Sequence, residues 1–292
     1  MIRFSHGAAT SVGRVRRVNE DSHLAVAPIY AVADGMGGHG SGDVASRLAV
    51  EVLGRCVELR PLFAEAVLHS LEEANRVIVE HEESSRMGTT VTGLAGLESV
   101  GGDHLIVFNV GDSRVYRLVV DRIEQLTVDH SEVQELVMAG VLTREQARSH
   151  PRRNIVTRAL GGGETVAVDH WLLPATGGDR FLICSDGLFG ELPDEVIVPL
   201  LAIPDPQQAA EALVAAANDA GGHDNVTALV VDIESADDSS GFASDVPVDT
   251  TVPLDQLPGR PGRPDGPAGP VLPVDVGLVG LGLIGPDPVP YQ

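Results

Sequence analysis

The order of the elements predicted from hydrophobic spacing makes this chain an α+β protein rather than a repeating β-α-β one. Three observations carry that expectation. Two long amphipathic helices follow one another with no strand between them, β-type segments then come in succession, and no stretch repeats along the sequence.

Leu24 to Ala33 has the apolar character of a strand and ends in an Asp-Gly turn. Val44, Leu48, Val52 and Cys56 then recur every four residues, flanked by Ala45, Ala49, Leu53 and Val57. That spacing predicts one apolar face of a helix, with Ser41 or Asp43 as its N-cap. Ala64, Val67, Leu68, Leu71, Ala74 and Ile78 predict a second long helix. β-type segments follow at Thr89 to Leu97, His104 to Val110 and Arg114 to Val120, then short helices at Ser131 to Ala139 and Thr143 to Ser149. Strands are expected again at Val168 to Leu173 and Phe181 to Ser185, a last helix near Gln207 to Ala217, and a closing strand at Val226 to Ile233.

Composition changes near Glu234. Residues 236–292 hold 11 of the 19 prolines and lack periodic pattern, so the chain divides into a globular domain at 1–235 and a Pro/Gly/Asp-rich tail at 236–292 that is expected to be disordered. Within the tail, Val276 to Ile284 is an apolar, glycine-broken run, well short of the ~20 residues a spanning helix needs. With no apolar leader at the start either, the expectation is a cytoplasmic protein without membrane insertion.

The formal net charge of −22 repels nucleic acid and anionic lipid, and the sequence offers no obvious basic stripe. All 20 basic residues are Arg, a bias typical of GC-rich bacterial genomes. The two cysteines, Cys56 and Cys184, sit in apolar patterns and read as reduced buried thiols.

Four carboxylates stand out by their setting. Asp21 follows Asn19 and Glu20 just before the first predicted strand; Asp34 ends that strand in Asp-Gly-Met-Gly-Gly; Asp186 ends another in Cys-Ser-Asp-Gly; Asp224 precedes the last in Gly-Gly-His-Asp-Asn. One strand-terminal Asp-Gly alone is an ordinary turn. Four such acids brought together would repel one another unless a cation neutralised them, and an all-oxygen set without His or Cys suits Mg²⁺ or Mn²⁺ rather than zinc.

An ordered series of motifs then gives the chain a likeness. Arg16 to Asp21 (RRVNED), Asp34 to Gly38 (DGMGG), Gly88 to Thr90 (GTT), Gly111 to Arg114 (GDSR), Asp129 to Ser131 (DHS), His150 to Asn154 (HPRRN), Ala159 to Gly162 (ALGG), Ser185 to Leu188 (SDGL) and Asp224 to Thr227 (DNVT) resemble the bacterial branch of the type 2C (PPM) protein phosphatases across residues 5 to 233. The resemblance implies a four-layer α/β/β/α sandwich, two antiparallel sheets flanked by helices. It also implies roles. Asp34 would bridge two metals, the Gly35 carbonyl would bind the second, Asp186 and Asp224 would hold the first, and Glu20 and Asp21 would act through metal-bound water. Asp112, with Asp186, resembles a third ion site, and Arg16 a phosphate clamp whose planar paired donors fit two phosphate oxygens.

Two departures from the family stand in the sequence. Met36 lies where some eukaryotic members carry a His thought to protonate the leaving group, so no general acid is assigned. Gly190 lies where many members have an acid, which weakens the third site. His130 and His150 bracket a stretch resembling the family's flap, and either is a candidate substrate contact. Ser185 has no His or Lys base beside it in the chain, and there is no Lys for a P-loop.

The function implied is hydrolysis of phosphoserine and phosphothreonine in proteins by a water shared between two Mn²⁺ or Mg²⁺ ions, reversing a bacterial Ser/Thr kinase acting on its targets. The alternatives are a phosphoprotein-binding regulator with little activity and a switch phosphatase acting on an anti-sigma-type regulator. A two-metal nuclease would use similar ligands, but the acidic composition argues against it.

Overall fold

The computed structural model describes residues 2–37, 41–81, 87–97 and 102–236. Among them one antiparallel sheet runs in the order β1 (Arg3–Ser11), β11 (Val226–Ser235), β10 (Arg180–Cys184), β7 (Arg114–Val119), β8 (Arg122–Gln125). The other runs β2 (Asp21–Val26), β3 (Ile29–Gly37), β5 (Val91–Leu97), β6 (His104–Val110), β9 (Asp169–Pro174), with β4 (Met87–Thr89) added to β3. The helices are α1 (Gly42–Gly54), α2 (Ala64–Glu80), α3 (Glu132–Met138), α4 (Arg144–Arg148), α5 (Asp186–Phe189), α6 (Asp194–Leu201) and α7 (Pro206–Ala220).

Strand periodicity builds the layers. Successive side chains leave opposite faces of a strand, so a strand buried on both sides feeds two cores. On β3, Ile29, Ala31 and Ala33 pack with Ala49, Leu53, Leu71 and Ile78 of α1 and α2. Tyr30 and Val32, between them, face the second sheet and join Phe181, Ile183, Leu229 and Val231. On β11 the alternation repeats: Ala228 and Val230 turn outward to Ile197 of α6 and Leu213 of α7. Three apolar cores separate four layers, the α/β/β/α sandwich expected.

Local readings were less exact. The single strand expected at Leu24 to Ala33 is a hairpin, β2 and β3 joined at Ala27-Pro28. Pro28 has no N–H to give a ladder, and it interrupts the run. Of the face expected at Val44, Leu48, Val52 and Cys56 with Ala45, Ala49, Leu53 and Val57 beside it, α1 buries Ala45, Ala49, Val52 and Leu53 and leaves Val44 and Leu48 half-buried, and Cys56 and Val57 lie beyond it in a 3₁₀ turn. Ser41, not Asp43, holds its N-cap position. Strand β1 went unread because its residues are mostly half-exposed and lack alternation; its nine residues are held by β11. Helix α6 was hidden by its β-branched Val196, Ile197 and Val198 and by Pro199; burial of Ile197 and Leu201 overrides propensity. Both cysteines are buried free thiols.

No helix among the described residues is long and apolar enough to cross a membrane. Gly38 of the DGMGG motif, and the tail beyond Ala236 with its apolar run, lie outside the described residues.

Candidate metal centre

The antiparallel pairings carry the acids to one end of the sandwich. Asp21 opens β2 and stands opposite Asp34 near the end of β3. Ser185, just past β10, pairs its N–H with the carbonyl of Thr227 at the start of β11, which brings Asp186 beside Asp224. Asp112 lies in the turn between β6 and β7, and β7 pairs with β10. The sequence placed Asp186 at a strand end; it is the first residue of the short helix α5.

Asp21 is held most firmly. Its Oδ2 accepts from Ser185 Oγ at 2.8 Å and from Thr227 Oγ1 at 2.6 Å. Because the Thr227 hydroxyl donates to Asp21, Thr10 must donate to Thr227 at 2.8 Å, and Asn19 Nδ2 in turn donates to Thr10 at 2.9 Å. Ser185, which also accepts from the Thr227 N–H, is therefore a strut and not a nucleophile. Asn19, Ser185 and Thr227 lie within the quoted motifs and Thr10 outside them, but nothing in the motifs shows that they support Asp21, because the Ser185 and Thr227 bonds to it span the chain.

Asp34 is fixed through its backbone. Its N–H donates to Thr90 Oγ1 at 3.0 Å, and its carbonyl accepts from the Thr90 N–H at 2.9 Å and Thr89 Oγ1 at 2.9 Å. This is what the GTT motif does. Gly35 follows against α1: a Cβ there would lie 2.1 Å from the Gly42 carbonyl oxygen and 2.6 Å from that of Glu20, so only glycine fits.

The loop carrying Arg16 and Glu20 is tied down by Asn225, which the sequence reading gave no role. Its Oδ1 accepts from the Glu20 N–H at 2.9 Å, and its Nδ2 donates to the carbonyls of Val12 and Val18 at 3.0 and 2.9 Å. Arg16 reaches Asp224, Nη2 to Oδ2 at 2.7 Å, while remaining about half exposed. Arg14 pairs instead with Asp219, outside the site.

The charge pattern is that of a cation site. Burial first, and then Asp186 and Asp224, push Asp21 up to about 7 against the hydrogen bonds from Thr227 and Ser185. Burial and then Asp224 raise Asp186 to about 6. Burial, followed by Asp21, Asp186 and Asp112, pushes Asp34 well above the usual carboxylate range. Burial, Asp186 and Asp129 carry Asp112 to about 8, and burial raises Glu20. These are the signs of acids crowded without enough positive charge.

Whether the residues fit a metal can be tested on their atoms. Asp21 Oδ1 and Asp186 Oδ1 are buried without a hydrogen-bond partner, a costly state for a carboxylate oxygen unless a cation faces it. The donors are oxygens only, which suits a hard divalent ion. Among the described residues no three His, Cys, Asp or Glu side chains stand ready-spaced around one point. Asp224 accounts for part of this: Arg16 takes its Oδ2 and the Asn225 N–H takes its Oδ1 at 2.8 Å. The oxygen-only donor set fits divalent ions in its chemistry, with Asp224 paired to Arg16 in this structure. At the third position, Asp112 is buried but Gly190 supplies only its N–H, to the Asp186 carbonyl.

The two histidines part company. His130 is buried, accepting from the Gly111 N–H at 3.0 Å through Nδ1, and its Nε2 meets Asp169 Oδ2 at 3.1 Å. It braces the Asp112 turn rather than facing substrate. His150 is half-buried in the flap, where its Nδ1 accepts from the Arg152 N–H at 3.3 Å. Arg114 of GDSR grips Asp129 through Nε and Nη2 and lies 3.6 Å over the Phe189 ring.

Residues 13–217 match the protein phosphatase 2C family. The chain is 40% identical over 238 residues to the serine/threonine protein phosphatase PstP of Mycobacterium tuberculosis, across 80% of this chain and 45% of that protein, so it spans about half the length of that relative. It is 38% identical over 239 residues to the serine/threonine phosphatase stp of Listeria innocua, across 76% of this chain and 93% of the relative. Among solved structures it resembles the Mycobacterium tuberculosis serine/threonine phosphatase PstP/Ppp, with a TM-score of 0.74 at 37% identity, covering 80% of this chain and 100% of the other. It also resembles the catalytic domain of a PstP in complex with two manganese ions, with a TM-score of 0.71 at 34% identity and the same coverage.

Proposed function

This chain belongs to the protein phosphatase 2C family, and from that premise we propose that it hydrolyses phosphoserine and phosphothreonine esters in proteins with the help of divalent cations at the carboxylate cluster. The observation that carries the reading is the pair of buried, unpartnered oxygens, Asp21 Oδ1 and Asp186 Oδ1, at the centre of mutually raised carboxylates. A bound phosphate ester alone would add to that repulsion; cations remove it.

Asp34, the Gly35 carbonyl, Asp186 and Asp224 would hold two ions, with Glu20 and Asp21 acting through water and Asp112 offering a third position. Bound there, such ions supply charge stabilisation and a water activated for in-line attack on phosphorus. The chain's own residues do the rest. Asn225 fixes the loop that presents Arg16. Arg16, half exposed at the rim, turns its paired N–H donors to two phosphate oxygens and holds the ester in line. Ser185 and Thr227 fix the oxygen of Asp21 they touch and leave the other free. The manganese-bound PstP catalytic domain supports Mn²⁺ as the first ion to try. The relatives' names support phosphoproteins as substrates; a bacterial Ser/Thr kinase with its targets, in the cytoplasm, is the partner system proposed with them. The catalytic unit is proposed to be residues 1–235.

Hydrolysis of a small aryl phosphate tests the reading. Turnover that needs Mn²⁺ or Mg²⁺ and stops with chelator supports it; turnover that persists in chelator overturns it.

A further inference from the structure

The molecule is strongly acidic, yet one exposed segment is not. Residues 143–158 carry Arg144, Arg148, Arg152, Arg153 and Arg158 against a single acid, Glu145, a net charge of +4 in a chain of −22. Composition predicts no basic stripe, but the arginines, though few, are gathered in this segment. Arg158 is spent on Asp169 at 2.6 Å. The other four are exposed on α4 and the turn after it. Arg152 pairs with Glu132, and Arg148 reaches Asp194 only at 3.9 Å. Among the described residues the arginines whose guanidinium makes no ion pair or hydrogen bond are Arg17, Arg144 and Arg153, two of the three in this segment.

The segment is tied through His130 to the turn that bears Asp112. His130 precedes it and exchanges hydrogen bonds with Gly111, the neighbour of Asp112. Thr157, at its far end, donates its N–H to the His130 carbonyl at 2.8 Å, and Ser131 bridges to Val156. The far end of the flap thus closes back on His130, which is bonded to the turn that bears Asp112. Ile155, at its edge, and Met138 and Val141 just before it are exposed apolar residues.

Resting on the phosphatase reading, we propose that this flap is a docking surface for acidic peptide, so that the enzyme favours phosphorylated residues flanked by Asp, Glu or a second phosphate. Charge complementarity carries the choice of partner. At physiological salt, charges more than about 8 Å apart are largely screened, so an approaching chain responds to the nearest side chains and not to the distant −22. Unpaired guanidiniums on the flap attract anionic flanks; the acidic remainder repels them and so leaves the flap as their point of contact.

Two phosphothreonine peptides, alike except that one carries Asp and Glu flanks and the other Ser and Gln, test this on the full chain with Mn²⁺. Exposed pairs are individually weak, so the expected preference in kcat/KM for the acidic peptide is about fivefold at low salt. It shrinks with added salt and is lost or reversed in the Arg144→Glu, Arg153→Glu double variant, whose melting temperature serves as the folding control. Equal kcat/KM for the two peptides, or an undiminished preference in the variant, overturns the proposal. So does tighter variant-sensitive binding of a single-stranded oligonucleotide than of the acidic peptide at physiological salt, which would give the surface to nucleic acid. Mn²⁺-dependent hydrolysis of an aryl phosphate is measured alongside. If it is intact without flank preference, only this inference fails; if it is absent, the phosphatase reading fails first.

Discussion

Asp21 and Asp34 stand directly opposite one another in the β2–β3 ladder, so both carboxylates leave the same face of the sheet. Like charges at paired positions cost stability, and here burial adds to the cost. Asp21 is raised to about 7 and Asp34 well above its ordinary range, so the folded state binds protons that the unfolded chain releases near its ordinary carboxylate pKa of about 4. Stability from these groups is then present at low pH and is lost as pH rises through about 7. In chelator, the advantage of Asp34→Asn over the wild type should grow between about pH 5 and about pH 8, by on the order of 2 kcal/mol. Denaturant unfolding at a series of pH values measures it, and a shrinking advantage contradicts the repulsion argument.

Arg16 and Arg17 are adjacent in sequence and differ in what they touch: Arg16 meets Asp224 at 2.7 Å. Arg16→Ala should lower kcat/KM for an aryl phosphate by about 2 kcal/mol, with part of the loss in KM, because a phosphate clamp acts before and during attack. Arg17→Ala should change it little. Equal losses would mean that general positive potential, not a directed contact, serves the site.

Asn225→Ala removes three hydrogen bonds that hold the Val12–Glu20 loop. It leaves the Glu20 N–H and the Val12 and Val18 carbonyls to find other partners, a cost of about 1–3 kcal/mol in unfolding free energy. It should also weaken Mn²⁺ binding about tenfold by freeing the loop that carries Glu20. Titration calorimetry with Mn²⁺ checks the second effect; unchanged affinity would make Asn225 a purely structural residue.

Ending the chain after Ser235 keeps β11 and its full pairing with β1. Such a protein should keep its melting temperature and its hydrolysis of a small phosphate ester. A large loss of either would place part of the catalytic unit in the tail.

The sequence revealed the acids because each lies at the end of an apolar run, Asp34 and Asp186 directly before glycine, and the ordered motifs then supplied the sandwich. It did not reveal Asn225, Thr227, Thr10 or Thr90 as the scaffold of the site. Their partners lie far away in sequence, as in the Thr227–Asp21 hydrogen bond, and a hydroxyl or amide has no periodicity to betray it. Strand β1 was hidden for a related reason: its half-exposed face carries no alternation, and its form comes from pairing with β11 at the other end of the domain. The hairpin at Ala27-Pro28 was legible, since proline interrupts a ladder, but the apolar residues on either side concealed it.

The central claim is that the carboxylate cluster containing Asp34, Asp186 and Asp224 holds the ions that make the chain a phosphatase. Phosphate release from a phosphothreonine peptide, compared between the wild type and Asp34→Asn at saturating Mn²⁺, tests it most directly. The account predicts steady release by the wild type and none above background by a variant that remains folded. Near-normal release by Asp34→Asn would contradict it.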